Sequence, residues 1–411
     1  MITSSTTSGY QTAQPYTPRY NNKTIGEYYG DLELYNYDTL QAFNRSTYPI
    51  GRFVNEFGFH SCPSIYSWSE VIPESELFFN STYITSRNHH PHASSLAFPN
   101  PNAPQGQAQI TNAIETYYPA VTLEDSKAAF AQQCWLSQVF QADHMKSQIH
   151  YYRIGSGRPE RNLGSLVWQL NDVWQGMLSN YGWIFAESSP GHTWAAIEHN
   201  GRWKALQYVL RSVYEHIIVA TIWDEHLERL MVYVVSDLTR DHVFGKISFQ
   251  WYFWNGTLIS STTVDFLCGP LNSTLVFDRT GFGNILPDQI QPNQALLVIT
   301  VDGQDYKHSD WFLPIPLKHA SLEKPCIDLA VIDRSRISNP TFKVTVTGAI
   351  GIWVALEQPE GVKGYFSDSF FLLIPGHDKE VSFRVVADYT SGRWIEQVKV
   401  RSMWNSSDTC E

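Results

Sequence analysis

Apolar positions along this chain change rhythm twice. Through residues 1–215, short apolar runs are separated by long polar loops, and two stretches repeat at the helical period. The first predicted helix opens near Thr122, where T-L-E-D offers an N-cap and an acidic first turn. It runs through Phe130, Cys134, Val139 and Ile149, and Gly155 and Gly157 follow it. The second, GRWKALQYVLRSVYEHI, sets Trp203, Leu206, Leu210 and Val213 at the spacing of a helix lying on a sheet. GSLVWQL, shortly before it, reads as a buried strand, so strand, loop and helix make a β/α unit.

From 216 to 316 the period shortens to that of strands. IIVATIWD, LMVYVVSD, KISFQWYFWNG, ISSTTVDFL, STLVFD and ALLVITVDG are rich in β-branched and aromatic residues and are separated by turn residues. About seven short strands in such a span predict an immunoglobulin-like sandwich. A proline-containing bridge, FLPIPLKHASLEKP, leads into a second such set over 317–411, from CIDLAVID to EQVKVRSMW. Neither β region carries a catalytic constellation.

Composition narrows the function classes. A net charge of −11 opposes a nucleic-acid partner, which would require a basic face. No run of about 18 apolar residues occurs, so no membrane-spanning helix is expected. The first twenty residues lack the basic and apolar regions of a signal peptide. Six N-x-S/T sequons, at Asn22, Asn44, Asn80, Asn255, Asn272 and Asn405, nevertheless point to a glycosylated, secreted protein. Five cysteines, widely spaced and without C-x-x-C, argue for one or two disulfides and against zinc. His89, His90 and His92 lie close together, but Pro91 breaks any spacing that would converge them, so no metal is expected.

The sharpest chemical feature is PIGRFVNEFGFHSCPS. Strand alternation predicts Val54, Glu56 and Gly58 on one face, with Phe53, Asn55, Phe57 and Phe59 on the other. A carboxylate would then project beside a glycine that leaves room for a ligand. The plainer reading of the same residues is a strand-end Glu paired with the nearby Arg52.

R-F-V-N-E-F-G-F-H-S resembles the nucleophile strand of the β-mannosidase branch of glycoside hydrolase family 2. PYTPRYNNKTIGEYYGDLELYNYD, SRNHHPHA, GSLVWQLNDVWQG, GRWKALQYVLR and GYFSDSFFLLIPG resemble further stretches of that family, in the same order. The resemblance implies the C-terminal part of a (β/α)8 barrel over 1–215, followed by sandwiches over 216–316 and 317–411. It implies a retaining exo-glycosidase acting on terminal β-mannose of manno-oligosaccharides or the N-glycan core, without cofactor; a homodimer is compatible with it. Glu56 matches the nucleophile. The acid/base glutamate of the family follows an asparagine on an earlier strand, and no such N-E pair precedes Glu56, so it is expected upstream of Met1 and the chain is expected to be a fragment.

By the same resemblance, Trp168 would floor the sugar subsite and Tyr35 would contact the sugar. Asn55, His60, Asn171 and Asp172 would support them, Asp172 by accepting backbone hydrogen bonds. His60 stands where the family usually has Gln, and Glu33 where it often has His. The rivals are another family 2 glycosidase, specific for a galactoside, glucuronide or glucosaminide, and a non-catalytic carbohydrate-binding chain.

Overall fold

The computed structural model describes residues 31–49, 51–79, 81–85, 103–121, 123, 126–172 and 191–404. Its first layer is a parallel sheet of three strands: β1 (Asp31–Leu34), β2 (Phe53–Phe57) and β3 (Ser165–Val167), with β2 in the centre. Helices α1 (Ile65–Ser69), α2 (Thr82–Thr85), α3 (Ala103–Tyr117) and α4 (Ser126–Ile154) lie between β2 and β3, and α5 (Ala205–Val213) follows. Helix α4 is the spine of this layer. The ring of Tyr152 meets Phe57 of β2 edge-on at 5.1 Å.

Most of α4 is buried, including Gln132, Gln138, Gln141, His144, Gln148 and His150. A helix buried all round is usually apolar all round. Here the buried amides serve as donors to loop carbonyls: Gln138 Nε2 to Cys62 O (3.0 Å), and Gln141 Nε2 to Phe59 O (2.7 Å) and Trp194 O (3.0 Å). The polar positions that blur the helical pattern in the sequence therefore hold the loop after β2 in place.

Helix α3 stands outside the two stretches in which the apolar spacing predicts a helix. Proline is tolerated in a first helical turn, and Ile110, Ala113 and Ile114 beyond it are buried at helical spacing.

The remainder is antiparallel. Strands β4 (Ile217–Asp224), β5 (Arg229–Ser236), β6 (Val243–Phe253), β7 (Leu258–Cys268), β8 (Asn272–Thr280), β9 (Ala295–Asp302) and β10 (Lys307–Phe312) form sheets ordered β4-β5-β8 and β10-β9-β6-β7. Val219, Leu230 and Val232 of one sheet share a core with Ile247, Phe249 and Ile299 of the other. A second sandwich comprises β11 (Cys326–Asp333), β12 (Thr341–Thr347), β13 (Gly351–Glu357), β14 (Val362–Phe366), β15 (Phe371–Leu373), β16 (Lys379–Asp388) and β17 (Lys399–Arg401). Its sheets run β11-β12-β16-β14 and β15-β13-β17, closing over Phe342, Phe366, Phe383 and Trp394. Cys326 is disulfide-bonded.

The helical layer meets the two sandwiches differently. Against the second it stacks rings: Trp203 on Tyr365 at 4.3 Å, and Trp135 on Phe370 at 6.1 Å. Against the first it adds charge to apolar contact: Ile154 packs with Ile218 and Val235, Lys146 Nζ is 2.9 Å from Asp310 Oδ1, and His150 lies beside the same carboxylate.

Candidate active site

Local irregularity sets the direction of Glu56. Leu32 pairs with Val54 but Glu33 pairs with Glu56, so β2 carries one extra residue, Asn55, against β1. The same slip appears against β3, where Val54 pairs with Ser165 and Phe57 with Val167. A bulge re-aims the side chains that follow it. Val54 and Phe57 both enter the core, and the expected alternation, with Val54 and Glu56 on one face, does not hold. Asn55 Nδ2 instead reaches across to Glu33 Oε1 (3.1 Å).

Beyond the bulge, Glu56 Oε2 accepts a hydrogen bond from the Tyr35 hydroxyl at 2.9 Å. Burial and then the Glu56 carboxylate push the Tyr35 phenol far up, so it stays a neutral donor. Tyr35, expected as a sugar contact, is therefore placed on the predicted nucleophile. It stacks on Tyr37 (6.4 Å), whose hydroxyl accepts from Trp194 Nε1 (2.9 Å).

Gly58 has a different role from the one expected. A Cβ there would stand 2.4 Å from the Trp168 carbonyl oxygen and 2.8 Å from Trp194 Cδ1. The glycine makes room for two tryptophans of the protein rather than for a ligand. Trp168 follows β3, donates its N–H to Phe57 O (2.9 Å), and is 44% exposed. The Gln169 N–H bonds to Trp194 O (3.2 Å), so the two tryptophan backbones are joined through one residue.

His60 is fully buried, with Nε2 3.0 Å from Gln109 Oε1 and its ring near those of Phe59 and Trp194. Asn171 donates to Asp172 O (3.0 Å). Among the described residues no backbone N–H is hydrogen-bonded to the Asp172 carboxylate; its own N–H donates to Ile197 O (2.8 Å). Burial raises its pKa, opposed by Lys204 and Thr193. Trp194 was missed: GHTWAAIEHN has no periodicity or motif that marks it. Glu198 was missed as well. It is buried and accepts from Ser64 N (2.8 Å), Ser64 Oγ (2.8 Å), Ser67 Oγ and Gln138 Nε2 (3.2 Å), a carboxylate that organises loops.

Of the sequons, Asn255 is exposed, Asn44 spends its amide on Gln41 Oε1 (2.7 Å), and Asn272 is half-buried. Asn22, Asn80 and Asn405 lie outside the described residues, as do His89, His90 and His92.

Comparison with known proteins bears on this geometry. Residues 228–319 match a family described as a mannosidase Ig/CBM-like domain, and residues 322–406 match the Ig-fold domain of mannosidases. The chain is 38% identical to Beta-mannosidase A of Neosartorya fischeri over 423 residues, covering 98% of this chain and 43% of that protein. Beta-mannosidase A of Aspergillus niger is likewise 38% identical over 420 residues. The chain is similar to fungal β-mannosidases over nearly its whole length. It spans less than half the length of the β-mannosidases it matches. Among solved structures, a β-D-mannosidase from Dictyoglomus thermophilum superposes with a TM-score of 0.70 at 17% identity, over 94% of this chain and 42% of that one. An exo-chitosanase of Amycolatopsis orientalis gives 0.58 at 14% identity, over 90% of this chain and 44% of that one. Both show a shared fold.

Proposed function

We propose that this chain is the nucleophile-bearing part of a retaining, exo-acting β-mannosidase. The observation that carries the reading is Glu56 itself. It stands at the end of the central parallel strand, anchored by Tyr35 at 2.9 Å, in a chain 38% identical over nearly its whole length to β-mannosidases. The parallel sheet and its helices are then an arc of a (β/α)8 barrel, with the site at the carboxyl ends of the strands where such barrels keep their chemistry.

In this mechanism a Glu56 oxygen forms a bond to the anomeric carbon as the bond to the leaving oxygen breaks. A second carboxyl, about 5–5.5 Å away, protonates that oxygen and afterwards takes a proton from water, which displaces Glu56 and releases mannose. We assign the second carboxyl to the part of the enzyme this chain does not cover. Tyr35 orients the nucleophile through a neutral hydrogen bond. The exposed ring of Trp168, next to the end of β2, suits the apolar face of a pyranose. The substrates are terminal β-D-mannosides of manno-oligosaccharides or trimmed N-glycans. The disulfide at Cys326 and the exposed sequon at Asn255 support a secreted, glycosylated protein.

A 2-deoxy-2-fluoro-mannosyl fluoride should trap the full-length enzyme as a covalent adduct on the peptide containing Glu56. Labelling of another carboxylate overturns the assignment. Preferential trapping by the gluco-configured reagent would retain the residue and replace the sugar.

A further inference from the structure

Two cysteines far apart in sequence meet beneath the loop that follows the nucleophile strand. Cys62 and Cys134 are both fully buried and both carry free thiols, within an apolar cluster that includes Trp68, Ile72 and Phe130. Their side chains are hydrogen-bond partners. The backbone on each side is clamped. Cys62 N–H donates to Ser137 Oγ (2.9 Å), the Ser137 hydroxyl donates to Cys134 O (2.6 Å), and Gln138 Nε2 donates to Cys62 O (3.0 Å). One Ser137 hydroxyl thus bridges the Cys62 and Cys134 backbones, and a disulfide requires backbones brought this close.

The third cysteine of known state is a contrast. Cys268 lies in the core of the first sandwich and points its sulfur at the carbonyls of Val234 (3.6 Å) and Asn272 (3.4 Å), with no second thiol beside it among the described residues.

We propose that Cys62 and Cys134 close to an intramolecular disulfide, which staples the loop after the nucleophile strand to α4. One of the two thiols, as its thiolate, displaces one thiolate from a low-molecular-weight disulfide of the glutathione class. The other, giving up its proton, then attacks the first sulfur and releases the second thiolate. The pair loses two electrons and two protons, and the small disulfide becomes two thiols. Neither sulfur is accessible in the folded protein, so the bond forms before α4 packs onto the loop.

The test is a peptide map of the full-length protein secreted by an oxidising host, unfolded in alkylating reagent without reductant. The peptides bearing Cys62 and Cys134 should be joined and should separate only on reduction, while Cys268 is alkylated directly. Alkylated Cys62 and Cys134 in the unreduced sample would overturn the proposal, as would pairing of either with another cysteine. Thermal melts supply an independent reading. Reductant should lower the wild-type Tm by at least ~2 °C more than that of C62A/C134A, in which only the Cys326 bond remains to be reduced. Equal shifts count against the staple.

Discussion

The layer around Glu56 and the two sandwiches solve the problem of burial in opposite ways. In the sandwiches, alternate residues are apolar and inward: Val219, Val232, Ile247 and Ile299 in one, Phe342, Val344, Val381 and Phe383 in the other. Backbone polar groups pair within the sheets, and the side chains have only to fill space. In the layer around Glu56, loops run through the interior, and buried glutamines, a glutamate and a lysine must satisfy them. The sandwiches should therefore respond to mutation through stability, and the site layer through geometry and charge.

Acid should expose this difference most strongly. His144, His150 and His308 lie within the helical layer or where β10 meets it, and burial lowers them to about 3, 3 and 4. A depressed histidine binds fewer protons folded than unfolded, so its stabilisation is complete above about pH 6.5 and is lost as pH falls towards the folded value. Each fully buried histidine sets an upper limit of ~1.4 kcal/mol per pH unit in that window. Asp310, held low by Lys146 and His150 against its burial, loses stability in the same direction lower down. Asp143 and Asp172 are raised, chiefly by burial, and oppose it through the carboxylate range. Thermal melts from pH 7 to 5 should show a falling Tm, and His150→Asn should flatten the slope. A flat wild-type profile would place the histidines in wetter surroundings than described.

Glycine substitutions sharpen the comparison next. Gly58→Ala drives a methyl group into the Trp168 carbonyl and Trp194, and displacements of about 1 Å near a reacting centre cost on the order of 100-fold in rate. Gly283, beside the first sandwich, has nothing within 4 Å of its would-be Cβ, and Gly283→Ala should leave both Tm and turnover unchanged. Similar kcat/KM for the two variants would remove Gly58 from the site.

A smaller loss than at Gly58 is expected at Trp168. If its exposed ring carries the sugar, Trp168→Ala should reduce kcat/KM by about tenfold, ~1.4 kcal/mol of transition-state binding, at constant Tm. A falling Tm with unchanged kinetics would make it a packing residue.

The sandwiches were legible because period-two alternation survives wherever a sheet buries one face. LMVYVVSD and ALLVITVDG each became the strand they predicted. Glu56 was legible through the wording around it, not through alternation, which the Asn55 bulge breaks. A bulge leaves no mark in the pattern, since Asn55 looks like any outward polar position. Trp194 and Glu198 were not legible because their partners come from distant segments: Tyr37 for the first, Ser64, Ser67 and Gln138 for the second. Nothing in the local sequence encodes such meetings.

The glutamines of α4 have a consequence for how the protein opens. Gln138 and Gln141 grip carbonyls from two separate stretches, Phe59 and Cys62 on one side and Trp194 on the other, while Ser61 and Thr193 exchange paired backbone bonds at 2.9 and 3.0 Å. Neither stretch can lift from α4 without breaking the bonds of its neighbour. Residues 59–64 and 192–198 therefore form a single cooperative opening unit, whose amides exchange with solvent water together or not at all.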